Sequence, residues 1–390
     1  MRILQLLTYY RPWISGLTIY VERLSRGLAA TGHEVTVLTS QYDKALPRSE
    51  TVHGVNVLRV PVMAQISKGV IMPSYGAELR RVLPRFDVAH LHLPQFDGAG
   101  ISINARLLRK PSLLTIHGDI RLPDLPLNRV VQVVINTMNR VAGHNVDRVV
   151  SYTEDFATHS AFMSRYAHKL RVIPPPVDFP VPTAADIAAF RQKWQLDTHP
   201  VIGMVARLAT EKGVEVLARA LQIALEKQPA ARVIFAGPFK NVIGEEAYAR
   251  RIHALIERLT STHGRCWDFV GPLQGAELAA FFAASDVHVL PSLNSTESFG
   301  LVQVESMLCG TPVICSDLPG VRVAPQVTGM GEVAPIGDAV ALAQTILRVC
   351  ERRADYVKPR AEIEGHYSTA RTVREYEALY RELASKRHTE

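Results

Sequence analysis

Two glutamates in the segment 296–313 stand where a carboxylate needs a partner. Glu297 and Glu305 lie eight residues apart, around Ser298, Phe299 and Gly300, in a stretch that is otherwise mostly apolar. Burial of a carboxylate beside a packed helix is costly unless something binds it. The pair is therefore a candidate site for the hydroxyl groups of a ligand.

The expected secondary structure brings both carboxylates to one helix N-terminus. A helix is predicted to begin near Gly300, and helical side chains lean toward the N-terminus, so Glu305 points back toward Glu297. The N–H groups of Phe299, Gly300 and Leu301 lie at the positive end of the helix dipole and favour an anion, and Gly300 allows close approach. A diphosphate flanked by a ribose and a hexose matches these groups. In the simpler alternative, Glu297 only caps the helix and Glu305 is solvated.

Two cations follow another predicted strand. Arg207 ends the strand 201–207, and Lys212 opens the next helix together with Gly213. Ligands of doubly wound sheets bind outside the carboxyl ends of the strands. The two cations therefore predict a second phosphate clamp at the same sheet edge. The alternative is an exposed loop with a solvated Arg and Lys.

The elements that must position these residues alternate between strand and helix along the whole chain. This alternation predicts two Rossmann-like, doubly wound α/β domains facing across a cleft. The segment 171–182 has five prolines in 12 residues and is the predicted linker, which gives domains 1–175 and 176–365. The predicted strands are 2–8, 34–40, 55–60, 87–93, 111–117 and 147–153, then 201–207, 232–237, 267–271, 286–292 and 312–316.

Charge is divided unevenly between the two halves. Of the net charge of +7, residues 1–175 carry +9 and residues 176–390 carry −2. The basic half indicates a solvated surface or contact with an anionic acceptor or membrane. Nucleic acid is not an expected partner, because the chain has no arginine-rich run and no nucleic-acid-binding motif.

The four cysteines have no Cys-x-x-Cys spacing and indicate reduced thiols in a cytoplasmic protein. Peripheral contact with the inner face of the membrane is a further hypothesis.

Two other motifs suggest competing chemistry. His90 and His92 share one face of a strand at a spacing seen in metal sites, but the sequence shows no third ligand apart from His117. We therefore expect these histidines to line or pack the site, and we predict no metal. The segment 329–334 fits Gly-x-Gly-x-x-Ala but precedes Pro335, so we interpret it as a loop ahead of a helix capped by Asp338 rather than as a dinucleotide site.

The motifs together resemble those of the retaining glycosyltransferases of family 4, which have the GT-B fold. The resemblance is carried by R-L-x-x-E-K-G at 207–213, V-G-P-L at 270–273 and E-S-F-G-L-V-x-x-E at 297–305. The segments 27–43 and 114–119 resemble the first domain of that family. The likeness spans nearly the whole chain.

The resemblance implies a role for each candidate residue. Arg207 and Lys212 would hold the donor diphosphate, Glu305 the ribose and Glu297 a hydroxyl of the transferred sugar. The remaining implied donor-site residues are Gly16, Lys240, Leu273, Phe299, Gly300 and Leu301. His117 would face the transferred sugar and the acceptor. The helix 366–386 would pack back on the first domain.

The resemblance also implies a reaction. A hexosyl unit would pass from a UDP- or GDP-sugar to a glycan, glycolipid or other hydroxyl acceptor, with retention at the anomeric carbon, as in polysaccharide biosynthesis. Fixed cations would replace a metal, and no Asp-x-Asp motif occurs in the chain. No cofactor is implied, since the nucleotide sugar is a substrate. The alternatives are another GT-B enzyme, such as an epimerase or phosphorylase, and a two-domain sugar-binding protein without activity.

Overall fold

A computed structural model describes residues 1–66, 69–120, 126–197 and 200–386. The chain divides into two compact units: Met1–Pro176 with Tyr367–Glu390, and Val177–His366. Each unit is built on its own twisted, mostly parallel sheet. Among the helices of the described ranges, none is long and apolar enough to cross a membrane.

The first unit has an eight-stranded sheet with the order β10-β9-β8-β7-β1-β2-β4-β3 and a separate β5-β6 ribbon. All pairs in the large sheet are parallel except β3 with β4. The strands are β1 (Arg2–Leu6), β2 (Glu34–Gln41), β3 (Ser49–Val52), β4 (Val55–Pro61), β5 (Ala64–Ile66), β6 (Gly69–Ile71), β7 (Val88–Leu93), β8 (Ser112–Ile116), β9 (Arg148–Ser151) and β10 (Leu170–Val172). The helices are α1 (Gly16–Ala30), α2 (Tyr75–Val82), α3 (Gly98–Leu107), α4 (Pro126–Asn145) and α5 (Glu154–His159).

The second unit has a six-stranded, fully parallel sheet with the order β13-β12-β11-β14-β15-β16. Its strands are β11 (Val201–Val205), β12 (Arg232–Ala236), β13 (Trp267–Gly271), β14 (Val287–Leu290), β15 (Val313–Ser316) and β16 (Gly331–Ala334). Its helices are α6 (Ala184–Trp194), α7 (Val214–Lys227), α8 (Glu246–His263), α9 (Gly275–Ala284), α10 (Leu301–Leu308), α11 (Val323–Thr328), α12 (Ala339–Glu351), α13 (Arg353–Tyr356) and α14 (Arg360–Tyr367).

The last helix, α15 (Thr369–Lys386), belongs to the first unit and packs on α1. The Tyr376 and Tyr20 hydroxyls are 2.7 Å apart and fully buried. Glu377 accepts hydrogen bonds from Thr31 and, at 3.0 Å, from the His33 ring. The first unit is therefore built from two separate segments of the chain, one before and one after the second unit.

The α/β prediction is confirmed: each unit is a doubly wound sheet of the Rossmann type. The predicted loop 329–334 is wrong, because residues 331–334 form the edge strand β16 beside β15. This strand carries Gly331 at φ +151 and has only one neighbour, so its sequence lacks the apolar run of a central strand. Asp338 does cap the following helix, since its carboxylate accepts from the Ala341 N–H at 2.9 Å.

Candidate functional site

A tight turn in the second unit brings the candidate lysine to the candidate glutamate. Lys212 ends a 3₁₀ turn, Thr210–Lys212, and Gly213 follows at φ +69. A Cβ on Gly213 would lie 1.9 Å from the Pro291 carbonyl oxygen, so only glycine lets this turn pack on the loop after β14. As a result, Lys212 Nζ lies 2.7 Å from Glu297 Oε2, an ion pair that joins two separate motifs.

The Lys212–Glu297 ion pair is only partly buried. The side chains of Lys212 and Glu297 are 20% and 17% exposed. Arg207 makes a separate ion pair with Glu211 one helical turn on and is more open, at 36%. The two cations thus stand at one sheet edge, each balanced by its own carboxylate, and an incoming anion would have to compete with these carboxylates.

The start of α10 is fixed by Gly300 and Gln303. Gly300 has φ +78, and a Cβ there would meet the Leu290 side chain at 2.3 Å. The left-handed backbone conformation therefore favours glycine here without any ligand. The Gln303 amide donates to the carbonyl oxygens of Phe299 and Val321, at 2.5 and 3.1 Å. Glu305, one turn into the helix, is buried at 4% exposure, so it is not the solvated residue of the simpler alternative.

Two serine hydroxyls in the loop between β14 and α10 are site candidates that the sequence does not indicate. In the described part of the chain, the buried Ser292 and Ser295 Oγ atoms have no hydrogen-bond partner. Buried polar atoms without a partner are rare and costly, and they are often satisfied by water or a ligand. The signal in the sequence is weak, because serine is common in any loop. These two hydroxyls add candidate donors beside Glu297.

Lys240 and Leu273 follow the neighbouring strands β12 and β13. Lys240 is exposed, with its ammonium 5.4 Å from the centre of the Phe239 ring, and Leu273 is half-buried. Both lie just beyond the carboxyl end of a strand, the edge that also carries Lys212 and Glu297. Neither makes direct contact with that pair.

The remaining candidates, Gly16 and His117, lie in the first unit. Gly16 begins α1 after the cap residue Ser15, whose hydroxyl accepts from the Thr18 N–H. It is exposed, and a Cβ there would meet nothing within 4 Å, so packing inside the unit does not require glycine. His117 directly follows β8 and is half-buried.

Both ring nitrogens of His117 are engaged within the first unit. Nε2 lies 2.9 Å from Nδ1 of His92, and the Tyr152 hydroxyl bonds Nδ1. Burial lowers the pKa of His117 to about 3, so the ring is neutral at physiological pH. Burial also holds the pKa of His90 and His92 well below the usual range. All three rings are held by hydrogen bonds inside the first unit.

The neutral histidines predict a specific acid sensitivity. Their native pKa values lie below the unfolded value near 6.5, so as the pH falls the unfolded chain takes up protons first. The stabilisation is present above about pH 6.5 and is lost as the pH falls toward the native values. We expect the free energy of unfolding to fall between pH 7 and pH 5, with about 2 kcal/mol of the loss due to His117.

Urea unfolding at the two pH values measures this loss. His90→Gln should make the free energy of unfolding less dependent on pH, whereas His53→Gln, at an exposed position, should leave the dependence unchanged. Equal pH dependence in wild type and His90→Gln would contradict the assignment of a neutral native His90.

Comparisons with known proteins identify the family of the chain. Residues 15–176 match the model of the glycosyl transferase 4-like domain, and residues 186–364 match that of the glycosyl transferases group 1. A D-inositol 3-phosphate glycosyltransferase of Stackebrandtia nassauensis is 30% identical over 337 residues, which cover 79% of this chain and 73% of the relative. A GDP-mannose-dependent alpha-mannosyltransferase of Mycolicibacterium smegmatis is 29% identical, with 85% of this chain and 84% of the relative covered.

Solved structures show the same fold. The Anabaena HepE protein in complex with UDP-glucose superposes with a TM-score of 0.77 at 20% identity, over 97% of this chain and 99% of that one. The two matched family models lie one in each compact unit, and each unit has the doubly wound sheet described above. The chain therefore belongs to the family 4-type, group 1 glycosyltransferases of the GT-B fold, and it is an enzyme of that class.

Proposed function

We propose that this glycosyltransferase moves a hexosyl unit from a UDP- or GDP-sugar to a hydroxyl acceptor, with retention at the anomeric carbon. The observation that carries the proposal is the Lys212–Glu297 pair beside the N-terminus of α10. It sets a cation for a phosphate next to a carboxylate for a sugar hydroxyl. The Mycolicibacterium relative is named as GDP-mannose-dependent and the HepE structure contains UDP-glucose, and both support a nucleotide-sugar donor.

In this mechanism the residues of the second unit stabilise the leaving diphosphate. As the bond between the sugar C1 and the phosphate oxygen breaks, negative charge grows on that oxygen. Lys212 and Arg207 would offset this charge, because preorganised cations bind a developing anion better than mobile water does. Lys212 would then exchange its contact with Glu297 for the phosphate, which leaves Glu297 to accept from a sugar hydroxyl. The buried Glu305 would accept from the ribose.

Retention follows if the acceptor attacks from the side of the leaving group. The acceptor oxygen bonds to C1, and its proton passes to the departing phosphate oxygen, so atoms and charge balance without an enzymic nucleophile. His117 takes no part in proton transfer in this proposal, because burial lowers its pKa to about 3 and makes the ring a weak base. The proposal includes no metal and no other cofactor.

Ligand-induced thermal shifts with UDP, GDP, ADP and their sugars test the donor assignment. We expect a shift for UDP- or GDP-linked compounds that survives EDTA and is lost in Lys212→Ala. Proton NMR of the product should then show a retained anomer. Donor turnover without any acceptor would favour the epimerase or phosphorylase alternative, and absence of a shift with every nucleotide would refute the proposal.

For the acceptor we propose an anionic, lipid-linked or phosphorylated compound, supported by features of the first unit around α4. A cavity of about 190 Å³ lies beside His117, lined by Gly118, Asp119, Asn139, Arg140 and Arg165 among others. The Asn139 Oδ1 atom is buried and has no partner within the described ranges, and the two arginines suit an anion. The cavity has room for about six waters, the size of one sugar ring rather than of a long glycan.

The outer face of α4 supports the lipid-linked form. Val130, Val133 and Val134 are 61%, 64% and 46% exposed, next to Arg129 on the same helix. Apolar side chains beside basic ones suit the surface of an anionic membrane. The net charge of +9 in residues 1–175 acts in the same direction.

Flotation with anionic vesicles at low salt measures this association. We expect the wild type to float with phosphatidylglycerol vesicles and Val130→Asp/Val133→Asp to remain at the bottom. Val340→Asp, at a 53% exposed valine of α12 in the second unit, is the matched control and should float. Wild type that stays at the bottom would exclude the membrane version and leave a phosphorylated small acceptor.

A further inference from the structure

One face of the first sheet carries a continuous row of polar side chains. Gln5 of β1 lies opposite His90 of β7, and His92 lies opposite Thr115 of β8. Because side chains alternate along a strand, these four residues and His117 share one face. All except His117 are fully buried. A buried polar row of this kind requires each hydrogen-bond donor and acceptor to be matched.

The hydrogen bonds run in series from His117 to the C-terminal helix. The His92 ring links His117 to Gln5, at 2.9 Å and 2.7 Å. The Gln5 amide nitrogen donates to the Tyr380 hydroxyl at 3.5 Å, and that hydroxyl is 2.8 Å from His90 Nδ1. From His90 the series continues to Thr115, Tyr376 and Tyr20 in steps of 2.7 to 2.8 Å.

The chemistry of a neutral imidazole gives this series one direction. Each neutral ring has one N–H donor and one acceptor nitrogen. Gln5 presents its oxygen to His92, so the His92 proton is on Nε2 and its Nδ1 accepts. His117 must then donate from Nε2, and its Nδ1 accepts from Tyr152. Tyr380 likewise donates to His90 Nδ1, which places the His90 proton on Nε2. The three histidines therefore share one tautomer.

We propose that Gln5 and Tyr380 are positioning residues, which act through His92 to hold the proton of His117 on Nε2 and to keep Nδ1 as an acceptor. A substrate hydroxyl that displaces Tyr152 then meets an acceptor rather than a donor. Substrate binding at the end of β8 is thereby tied to the docking of α15, whose Tyr380 lies at the centre of the series. This inference rests on the proposed function only in taking the end of β8, where the cavity proposed for the acceptor lies, as a substrate site.

The tautomers can be read directly on the unliganded full chain by long-range proton–nitrogen NMR of ¹⁵N-histidine-labelled protein. We expect His90, His92 and His117 all to carry the proton on Nε2, with signals identified by single His→Gln variants. A His117 with its proton on Nδ1 would overturn the proposal whatever the donor proves to be. This measurement therefore separates the inference from the assignment of the function.

Variants then connect the tautomer to activity. Gln5→Leu removes the oxygen that accepts the His92 hydrogen bond and should give mixed tautomers at His117. We expect kcat/KM for the acceptor substrate to fall about tenfold, while the affinity for the donor is unchanged. Gln5→Glu, which still accepts from His92, should keep the His117 tautomer and most of the activity. Glu377→Gln loosens the same helix outside the series and is the matched control. The proposal would be overturned if Glu377→Gln lost as much kcat/KM as Gln5→Leu, or if the His117 NMR signal were unchanged in Gln5→Leu. In either case the hydrogen bonds would serve only to hold α15 on the first unit.

Discussion

Replacing Lys212 by alanine is expected to reduce glycosyl transfer by about 10²–10³-fold, because a single preorganised donor at a developing charge has an effect of that size. The lysine is held 2.7 Å from Glu297 and is only 20% exposed, so no other described cation occupies its place. Arg207 is paired with its own carboxylate, Glu211. Initial rates with saturating donor measure the loss.

A second lysine ion pair in the same unit provides the control. Lys193 and Glu277 are 2.8 Å apart, but their side chains are 59% and 47% exposed. Lys193→Ala should therefore leave both activity and stability almost unchanged, as expected for a surface pair. Glu297→Ala should lose transfer to a similar extent as Lys212→Ala while the fold remains intact by circular dichroism. Turnover above a tenth of wild type in both site variants would refute the assignment.

The second large effect is expected for Gly213→Ala. The added Cβ would lie 1.9 Å from the Pro291 carbonyl oxygen and 2.9 Å from its carbon, both backbone atoms that a side-chain rotation cannot move. The positive φ of 69° adds strain for any residue with a Cβ. We expect a loss of about 2–5 kcal/mol in the free energy of unfolding and a loss of nucleotide-induced thermal shift, because the turn that carries Lys212 must move away from Glu297.

Substitution of Gly275 is a control that separates the effect of backbone strain from that of a steric clash. It has φ +54, but a Cβ there would meet nothing within 4 Å. Gly275→Ala should cost about 1–2 kcal/mol from backbone strain alone and should leave nucleotide binding intact. Urea unfolding and the thermal-shift response together test both variants. If the two alanines behaved alike, the contact with Pro291 would not be what shapes the site.

The sequence predicted the fold because apolar strands and amphipathic helices alternate with little interruption. It also pointed to the loops at the carboxyl ends of the strands, where the structure places Lys212, Glu297 and His117. The contact between Lys212 and Glu297 could not be predicted, since it joins residues 85 positions apart through a turn that packs on another loop. Predicting it would require the distances between loops, which periodicity does not contain.

Other misses have equally local causes. The sequence predicts a loop at 331–334, because Gly331 and Pro335 flank a short segment and an edge strand needs few apolar residues. The sequence suggests that Gly300 allows a ligand to approach, whereas in the structure its φ of +78° already favours glycine. The polar face formed by Gln5, His90 and His92 was visible in the sequence only as unusual residues in buried strands, and its continuity depends on strand register.

The position of α15 also bears on how the chain matures. The first unit includes α15 (Thr369–Lys386), which is synthesised only after the whole of Val177–His366. Val177–His366 is continuous in sequence and can fold as soon as it emerges, while the earlier segment must wait with its face toward α15 uncovered. The first unit can therefore be completed only after the second unit has been synthesised, in the reverse of their order along the chain.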